Sequence, residues 1–195
     1  MTISLLALWA LLACAPAALG PPPVPFAEGQ QLQLGASLTG GSLLPPTQEQ
    51  GCGLALGCTG GSAGFWVGGA RGRAELGVVG FAGNTSLFGG GVYGRYWYID
   101  EPSYRIGGEL QAGFLWAAAS IPAARRISPS VWVWTAPSAG LRYFSLLRLP
   151  VGLATQQGEH LALSAEFSVG WDPWWLYQSP STVFLSSGLS VSWRW

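Results

Sequence analysis

Residues 159–171 contain the three residue types from which a serine hydrolase site is built. His160, Ser164 and Glu166 fall on the same side of a strand-like alternation in this stretch. A serine nucleophile needs a histidine within hydrogen-bond reach and a carboxylate that orients that histidine. The strand rise separates His160 from Ser164 by roughly 13 Å, which is too far for such a bond. We therefore expect no catalytic site here, and we expect His160 to form hydrogen bonds inside the fold.

Arginines and glutamates form a second group of candidate functional residues. They recur on one side of several strand-like stretches, where they could form ion pairs. The set is Arg73, Glu75, Arg95, Arg105, Glu109, Arg142, Arg148, Glu166 and Arg194. Charges held in a narrow interior are stabilised when a guanidinium pairs with a carboxylate. The sequence therefore predicts a network of interior ion pairs. Some of the arginines have no evident strand-borne partner, so a narrow pore that favours anions is the alternative.

Motifs for cofactors and metals are missing from the sequence. No phosphate-binding loop, CxxC, HExxH or EF-hand spacing occurs, so we expect neither a cofactor nor a metal site. Cys52 and Cys58 are six residues apart, and we expect a disulfide between them within a loop. The nine basic residues equal the nine acidic ones, which leaves no basic surface for nucleic acid.

Alternation with a period of two is the dominant pattern, and it predicts β-strands with one apolar and one polar face. Eight stretches show it, namely 31–38, 62–70, 73–82, 87–98, 104–118, 139–156, 159–171 and 183–195. Long connections are predicted on one side of the barrel at 40–61, 119–138 and 172–181, together with one unusually short connection at 83–86. Short turns are predicted at Arg71–Gly72, Asp100–Ser103 and Gln157–Gly158. The fold predicted is an all-β, eight-stranded, antiparallel up-and-down barrel.

Composition decides which face of this barrel is outside. Charged residues make up only 9% of the chain, and the mean hydropathy is +0.33, which does not suit a water-exposed surface. An eight-stranded barrel has room inside only for side chains. We therefore place the Leu, Val, Phe, Tyr and Trp face outward in a lipid bilayer and the polar face in the lumen. Aromatic residues near strand ends would lie at the headgroup level: Tyr96, Trp97, Tyr98, Trp116, Trp171, Trp193 and Trp195.

The N-terminus indicates export. Residues 3–13 form a short apolar core, and Ala15–Ala17 fits a small-residue cleavage site, so residues 1–17 are interpreted as a signal peptide. The alternative is lipidation at Cys14. Residues 18–29 are proline-rich and are expected to form an extended tail, because proline cannot donate to a β-ladder. The barrel would then comprise residues 30–195.

The last stretch, VFLSSGLSVSWRW at 183–195, alternates and ends on an aromatic residue. In this it resembles the C-terminal strand of small bacterial outer-membrane β-barrel proteins, in which Trp193 and Trp195 would act as the assembly signal. The resemblance implies the outer membrane of a Gram-negative-type cell, with the lipid bilayer, lipopolysaccharide and the barrel assembly machinery as partners. Short turns would face the periplasm and longer loops the exterior. The outer loops would carry Trp132, Trp134, Trp174 and Trp175 for contacts with lipopolysaccharide or a partner.

The function expected from these features is a non-enzymatic outer-membrane barrel with a structural or surface-interaction role. The alternatives are a narrow anion-favouring channel and a lipid A-modifying enzyme. The lipid A deacylase family of eight-stranded barrels carries a His-x-Ser pair on one strand, and here the matching place holds Ala162. The palmitoyltransferase barrels use a histidine from outer loops, which the predicted outer loops of this chain lack. We therefore expect no enzymatic activity.

Overall fold

The computed structural model describes residues 20–24, 30–44, 59–83, 88–113, 116–141, 147–172 and 182–195. No helix within these ranges is long and apolar enough to cross a membrane. The strands found there are β1 (Leu32–Leu44), β2 (Thr59–Arg71), β3 (Ala74–Gly83), β4 (Phe88–Asp100), β5 (Tyr104–Gly113), β6 (Trp116–Ser120), β7 (Ala123–Ser128), β8 (Val131–Thr135), β9 (Ser138–Leu141), β10 (Leu147–Gln157), β11 (Leu161–Asp172) and β12 (Thr182–Arg194).

The strands form one closed antiparallel barrel. Pairing runs in the order β11-β12-β1-β2-β3-β4-β5-β6-β9-β10, and β10 pairs in turn with β11 to complete the ring. The predicted pairing of the last strand with the first is confirmed, with Gln33 opposite Arg194 at one end and Leu44 opposite Val183 at the other. The all-β closed barrel is thus present. Its described strands make a ring of ten rather than eight.

The two additional strands come from the region predicted as a loop at 119–138. β6 pairs with β9, and β7 pairs with β8, so that residues 116–141 form a hairpin that turns at 129–130. β7 and β8 are not members of the ring of ten. They extend the barrel wall beyond β6 and β9 at one end of the barrel. There β7 pairs with β5 and β8 pairs with β10. The prediction of a long outer loop at this place is wrong.

Two prolines explain why the hairpin was not recognised. Pro122 and Pro137 lie between the halves of each arm and lack an N–H group, which is a signal for a loop. Their carbonyl groups nevertheless remain in the ladder. The Gly107 N–H donates to the Pro122 carbonyl at 2.9 Å, and the Ile121 N–H donates to the Pro137 carbonyl at 3.0 Å. A proline therefore removes one donor from these strands without ending them.

Two predicted strands were too long. The stretch 104–118 contains the whole of β5 and the start of β6, and the stretch 139–156 contains most of β9 and most of β10. The connections that divide them, 114–115 and 142–146, lie outside the described residues. Because the chain reverses between β5 and β6, Trp116 is on the inner face and not on the outer face predicted for it.

Along the strands, successive side chains alternate between the outer and the inner face of the wall, as the period of two requires. Apolar side chains point outward and are heavily exposed, for example Leu76 at 69%, Leu110 at 69% and Leu189 at 67%. The start of β1 and the end of β12 share one end of the barrel, hereafter the turn end, with the connections at 72–73, 101–103, 129–130 and 158–160. Gly72 and Gly158 adopt positive φ angles of 59° and 65° in two of these turns, as tight hairpin turns require.

Candidate functional site in the barrel lumen

The strongest cluster in the lumen joins Glu75, Arg95 and Glu109 on three neighbouring strands. Arg95 on β4 lies directly opposite Glu75 on β3 and Glu109 on β5, so the three inward side chains form one row across the wall. The Arg95 guanidinium donates from Nη1 to Glu75 Oε2 at 2.9 Å and from Nε to Glu109 Oε2 at 2.7 Å. All three side chains are buried, and the carboxylates of Glu75 and Glu109 both pair with the Arg95 guanidinium.

Neutral and aromatic donors complete this cluster. Trp97 Nε1 donates to Glu75 Oε1 at 2.7 Å, and Gln111 Nε2 donates to Glu109 Oε1 at 2.6 Å. Arg105 lies with its guanidinium 4.5 Å from the centre of the Trp97 ring. Donors thus surround the carboxylates on several sides, which is what buried charges need to be stable. The sequence did not identify Trp97 as part of this site, because it was predicted to lie in an outer aromatic belt.

A second ion pair lies across the lumen on β10 and β11. Arg148 pairs with Glu166, and its Nε donates to Ser168 Oγ at 3.2 Å. Ser168 in turn shares a hydrogen bond of 2.6 Å with Ser186 on β12. The wall at this side is therefore tied together by one charge pair and a chain of hydroxyl groups.

The remaining predicted lumen residues have different positions. Arg105 pairs with Asp100, whose Oδ2 accepts from Nη2 at 2.7 Å, and this carboxylate had been assigned only to a turn. Arg194 is buried opposite Gln33. Arg73 is exposed in the turn between β2 and β3, where it does not join the lumen set. Arg142, Cys52 and Cys58 lie outside the described residues.

His160 and Ser164 are not brought together. His160 is exposed at the turn end, where Nδ1 bonds the Arg194 carbonyl at 2.8 Å and the ring stacks on Trp193 at 5.3 Å. The expectation of a lumen position for this histidine is wrong, because the residue belongs to the turn that precedes β11. Ser164 is buried and accepts a hydrogen bond from Trp134 Nε1 at 3.1 Å. Within the described ranges, no group of three His, Cys, Asp or Glu residues could hold a metal ion.

Large aromatic residues fill much of the lumen. Trp66, Trp97, Trp116, Trp132 and Trp134 are all buried, so Trp132 and Trp134 do not lie in an outer loop and Trp97 and Trp116 do not lie in an outer belt. Tyr96, Tyr98, Trp171, Trp193 and Trp195 are exposed on the outer face, as predicted.

Inward aromatic residues stand opposite glycines on the neighbouring strand. Gly35 is paired with Trp66, and Gly152 is paired with Trp134. A Cβ atom added to either glycine would lie 2.3 Å from the indole of its partner. The glycines therefore provide the space in which the rings lie flat against the wall. A glycine placed opposite a tryptophan thus indicates a filled lumen and not empty space.

The segment 20–24 also lies inside the barrel. Its residues Pro21, Pro22, Pro23 and Val24 are buried, and Arg95 Nη2 donates to the Pro21 carbonyl at 2.8 Å. Val24 belongs to an apolar cluster with Trp132, Trp134, Ala124 and Ala154. The prediction that proline keeps this segment out of the ladder is compatible with its position. Sequence reasoning, however, did not place the segment in the lumen.

A small cavity of about 50 Å³ remains beside this segment. Its polar lining includes the hydroxyl-bearing residues Ser37, Thr39, Ser164 and Ser190 together with Arg95, Glu109, Arg148 and Glu166. This is enough space for a few water molecules. Among the described residues, side chains and the segment 20–24 thus occupy most of the lumen and leave this polar cavity.

Comparisons with known proteins gave no match to a family model and no match among curated proteins. Several solved structures are similar to the chain. A TodX monoaromatic hydrocarbon channel mutant aligns at 8% identity and TM-score 0.44, covering 86% of this chain and 67% of the other. Ail, the attachment invasion locus protein of Yersinia pestis, aligns at 9% identity and TM-score 0.39, covering 85% and 99%. The N-terminal β-barrel domain of Pseudomonas aeruginosa OprF aligns at 12% identity and TM-score 0.37, also covering 85% and 99%.

Proposed function

We propose that this chain is a non-enzymatic barrel of the bacterial outer membrane, with a structural or surface-interaction role. The observation that carries the proposal is the outer face, where large apolar side chains are exposed all round the barrel, for example Leu34, Val78, Leu110, Leu149 and Leu189. Water-soluble proteins rarely expose continuous apolar surface of this extent. A closed ring also satisfies the backbone hydrogen bonds that lipid cannot.

The choice of the outer membrane rests on sequence features. These are the interpretation of residues 1–17 as an export signal and the resemblance of the closing stretch 183–195 to the C-terminal strand of proteins that the barrel assembly machinery inserts. Lipid and lipopolysaccharide would then be the immediate partners. With the turn end in the periplasm, the connections at 45–58 and 173–181 would face the exterior and supply the surface for interactions.

The arrangement of residues in the lumen supports a role without catalysis and without a permanently open channel. The hydrolase candidates His160 and Ser164 lie apart, and the lumen is occupied by the segment 20–24 and by aromatic side chains. The alternative of an anion-favouring pore depended on arginines without carboxylate partners. Arg105 with Asp100 and Arg148 with Glu166 both form ion pairs, so this alternative has less support.

Arginine substitution on the outer face tests the membrane assignment. An arginine at the bilayer midplane of a barrel costs about 2–4 kcal/mol, whereas the same residue on a water-exposed surface costs little. We expect Leu110→Arg to reduce the amount of heat-modifiable protein in the outer-membrane fraction. Glu101→Arg, in a turn-end connection, is the matched control and should have no effect. Equal levels of both variants, or recovery of the parent protein in the soluble fraction, would contradict the proposal.

A further inference from the structure

The segment 20–24 is held in the lumen differently from the strands that surround it. Its three prolines have no N–H group and cannot enter a β-ladder. The Val24 N–H is used within the segment, since it donates to the Pro22 carbonyl at 2.7 Å. The segment's described attachments to the wall are the hydrogen bond from Arg95, the packing of Val24 and the burial of Pro21, Pro22 and Pro23. None of these is a backbone ladder of the kind that joins the barrel strands to one another.

One part of the wall leaves the room that the segment needs. Apart from Glu166, the inward side chains of β1, β11 and β12 that line this space are small, including Ser37, Thr39, Ser164 and Ser190, whereas β2 and β4 point tryptophans into the lumen. Side chains alone can fill the interior of an eight-stranded barrel. A ring of ten strands is about a quarter wider. The five residues therefore occupy space that the wall itself does not close.

The charged groups around this space are balanced in sign. The charged residues that line it together with the segment are Arg95, Glu109, Arg148 and Glu166, which are two cations and two anions. They are engaged in ion pairs, and hydroxyl groups make up much of the remaining polar lining. Such a lining can replace the water shell of a small polar solute but gives little preference for either sign of charge.

We infer that the segment 20–24 is a displaceable plug, and that the space it occupies is a path for small uncharged or zwitterionic polar solutes. Displacement breaks the hydrogen bond between Arg95 and the Pro21 carbonyl and withdraws Val24 from its apolar cluster. The ion pairs of Arg95 with Glu75 and Glu109 stay intact, so the wall keeps its structure. The inference presupposes that the chain is a membrane barrel, as proposed above, and adds a transport activity to it.

Deletion of residues 20–24 tests the plug in planar bilayers and in liposomes loaded with a small sugar. If the plug is in place most of the time, the parent protein should show only brief and rare channel openings. The deletion variant should stay open, with a mean conductance at least about tenfold higher, and it should admit the sugar. A deletion variant that inserts, shows heat-modifiable migration and yet conducts no better than the parent would overturn the inference.

A reversible lock provides the control. With Cys52 and Cys58 replaced by Ser, Val24→Cys and Ala154→Cys place one thiol on the segment and one on the wall of the same apolar cluster. A cross-linked pair should remain closed and should regain openings when the link is reduced, whereas Val24→Cys alone should not respond to reductant. Openings that persist in the linked protein would contradict the plug. Failure of every variant, parent included, to enter membranes would refute the membrane proposal instead.

Discussion

Arg95 and Pro21 are joined by a hydrogen bond between residues that are 74 positions apart in the sequence. The same guanidinium pairs with Glu75 and Glu109, so one side chain both balances the buried carboxylates and holds the N-terminal segment. An arginine can do this because its five donors point in fixed, diverging directions, and a lysine cannot reproduce that arrangement.

We therefore predict that Arg95→Lys loosens the segment while it keeps the positive charge. Loss of a hydrogen bond from a charged donor costs roughly 1.5 kcal/mol, which corresponds to about a tenfold shift in the bound population. The measurement is the rate at which a water-soluble thiol reagent labels Val24→Cys in a background with Cys52 and Cys58 changed to Ser. Arg73→Lys, in the exposed turn, is the control. Unchanged labelling in the Arg95→Lys protein would contradict the prediction.

Removing the charge of Arg95 should have a larger effect, and on the barrel itself. Arg95→Met leaves the buried Glu75 and Glu109 without their shared cation, and breaking a buried pair in this way costs about 3–5 kcal/mol. Urea unfolding in detergent micelles measures the change. The triple variant Glu75→Gln, Arg95→Met, Glu109→Gln removes all three charges and should recover much of the loss. A triple variant no more stable than Arg95→Met would show that the loss is not electrostatic.

The strands that the sequence predicted well are those with a simple contrast between their faces. In β1, β11 and β12 the outward residues are mainly Leu, Val or aromatic and the inward ones mainly small or polar, so the period of two is unmistakable. The closing pair β12 and β1 and the turns at Arg71–Gly72, Asp100–Ser103 and Gln157–Gly158 followed from this pattern. The inward direction of Glu75, Arg95, Glu109 and Arg148 followed from the same alternation, because strand phase alone fixes it.

The hairpin at 116–141 was missed because its inner face is not polar. Trp132 and Trp134 point inward against glycine and alanine, and two prolines interrupt the arms. An apolar residue on the inner face cancels the contrast on which the alternation depends. The position of the segment 20–24 could not be predicted for a different reason. It depends on contacts between residues far apart in the sequence and on a lumen width that is known only once the strands are counted.

The glycine opposite Trp66 offers a test of the lumen packing. A methyl group on Gly35 would lie 2.3 Å from the Trp66 indole, which must then leave its position. Overpacking of this kind costs about 1–3 kcal/mol, so Gly35→Ala should unfold at lower urea. Gly94→Ala is the matched control, because its added methyl meets only the flexible end of Leu76 at 3.1 Å on the outer face. Equal stability of the two variants would show that the indole has free space.

The last residue should matter for assembly more than for any activity. The Trp195 carbonyl accepts from the N–H groups of Gln31 and Leu32 at 3.0 and 2.9 Å, and its N–H donates to the Leu32 carbonyl at 3.1 Å. Deleting Trp195 removes this end of the closing ladder together with the terminal aromatic ring. We expect much less folded protein in the outer membrane, while Trp195→Phe keeps the normal level. A truncated protein at parental levels would count against the assembly signal.

An epitope inserted at Ser130 separates the ten-stranded arrangement from the eight-stranded one. In the structure this residue lies in the turn between β7 and β8, at the turn end, where β1 begins and β12 ends. In a barrel with its termini in the periplasm, an antibody added to intact cells should fail to bind the epitope and should bind it after the cells are opened. An epitope between residues 45 and 58, which either arrangement places outside, is the control for access. Surface labelling at Ser130 would instead favour an outer loop at 119–138 and would remove β7 and β8 from the wall.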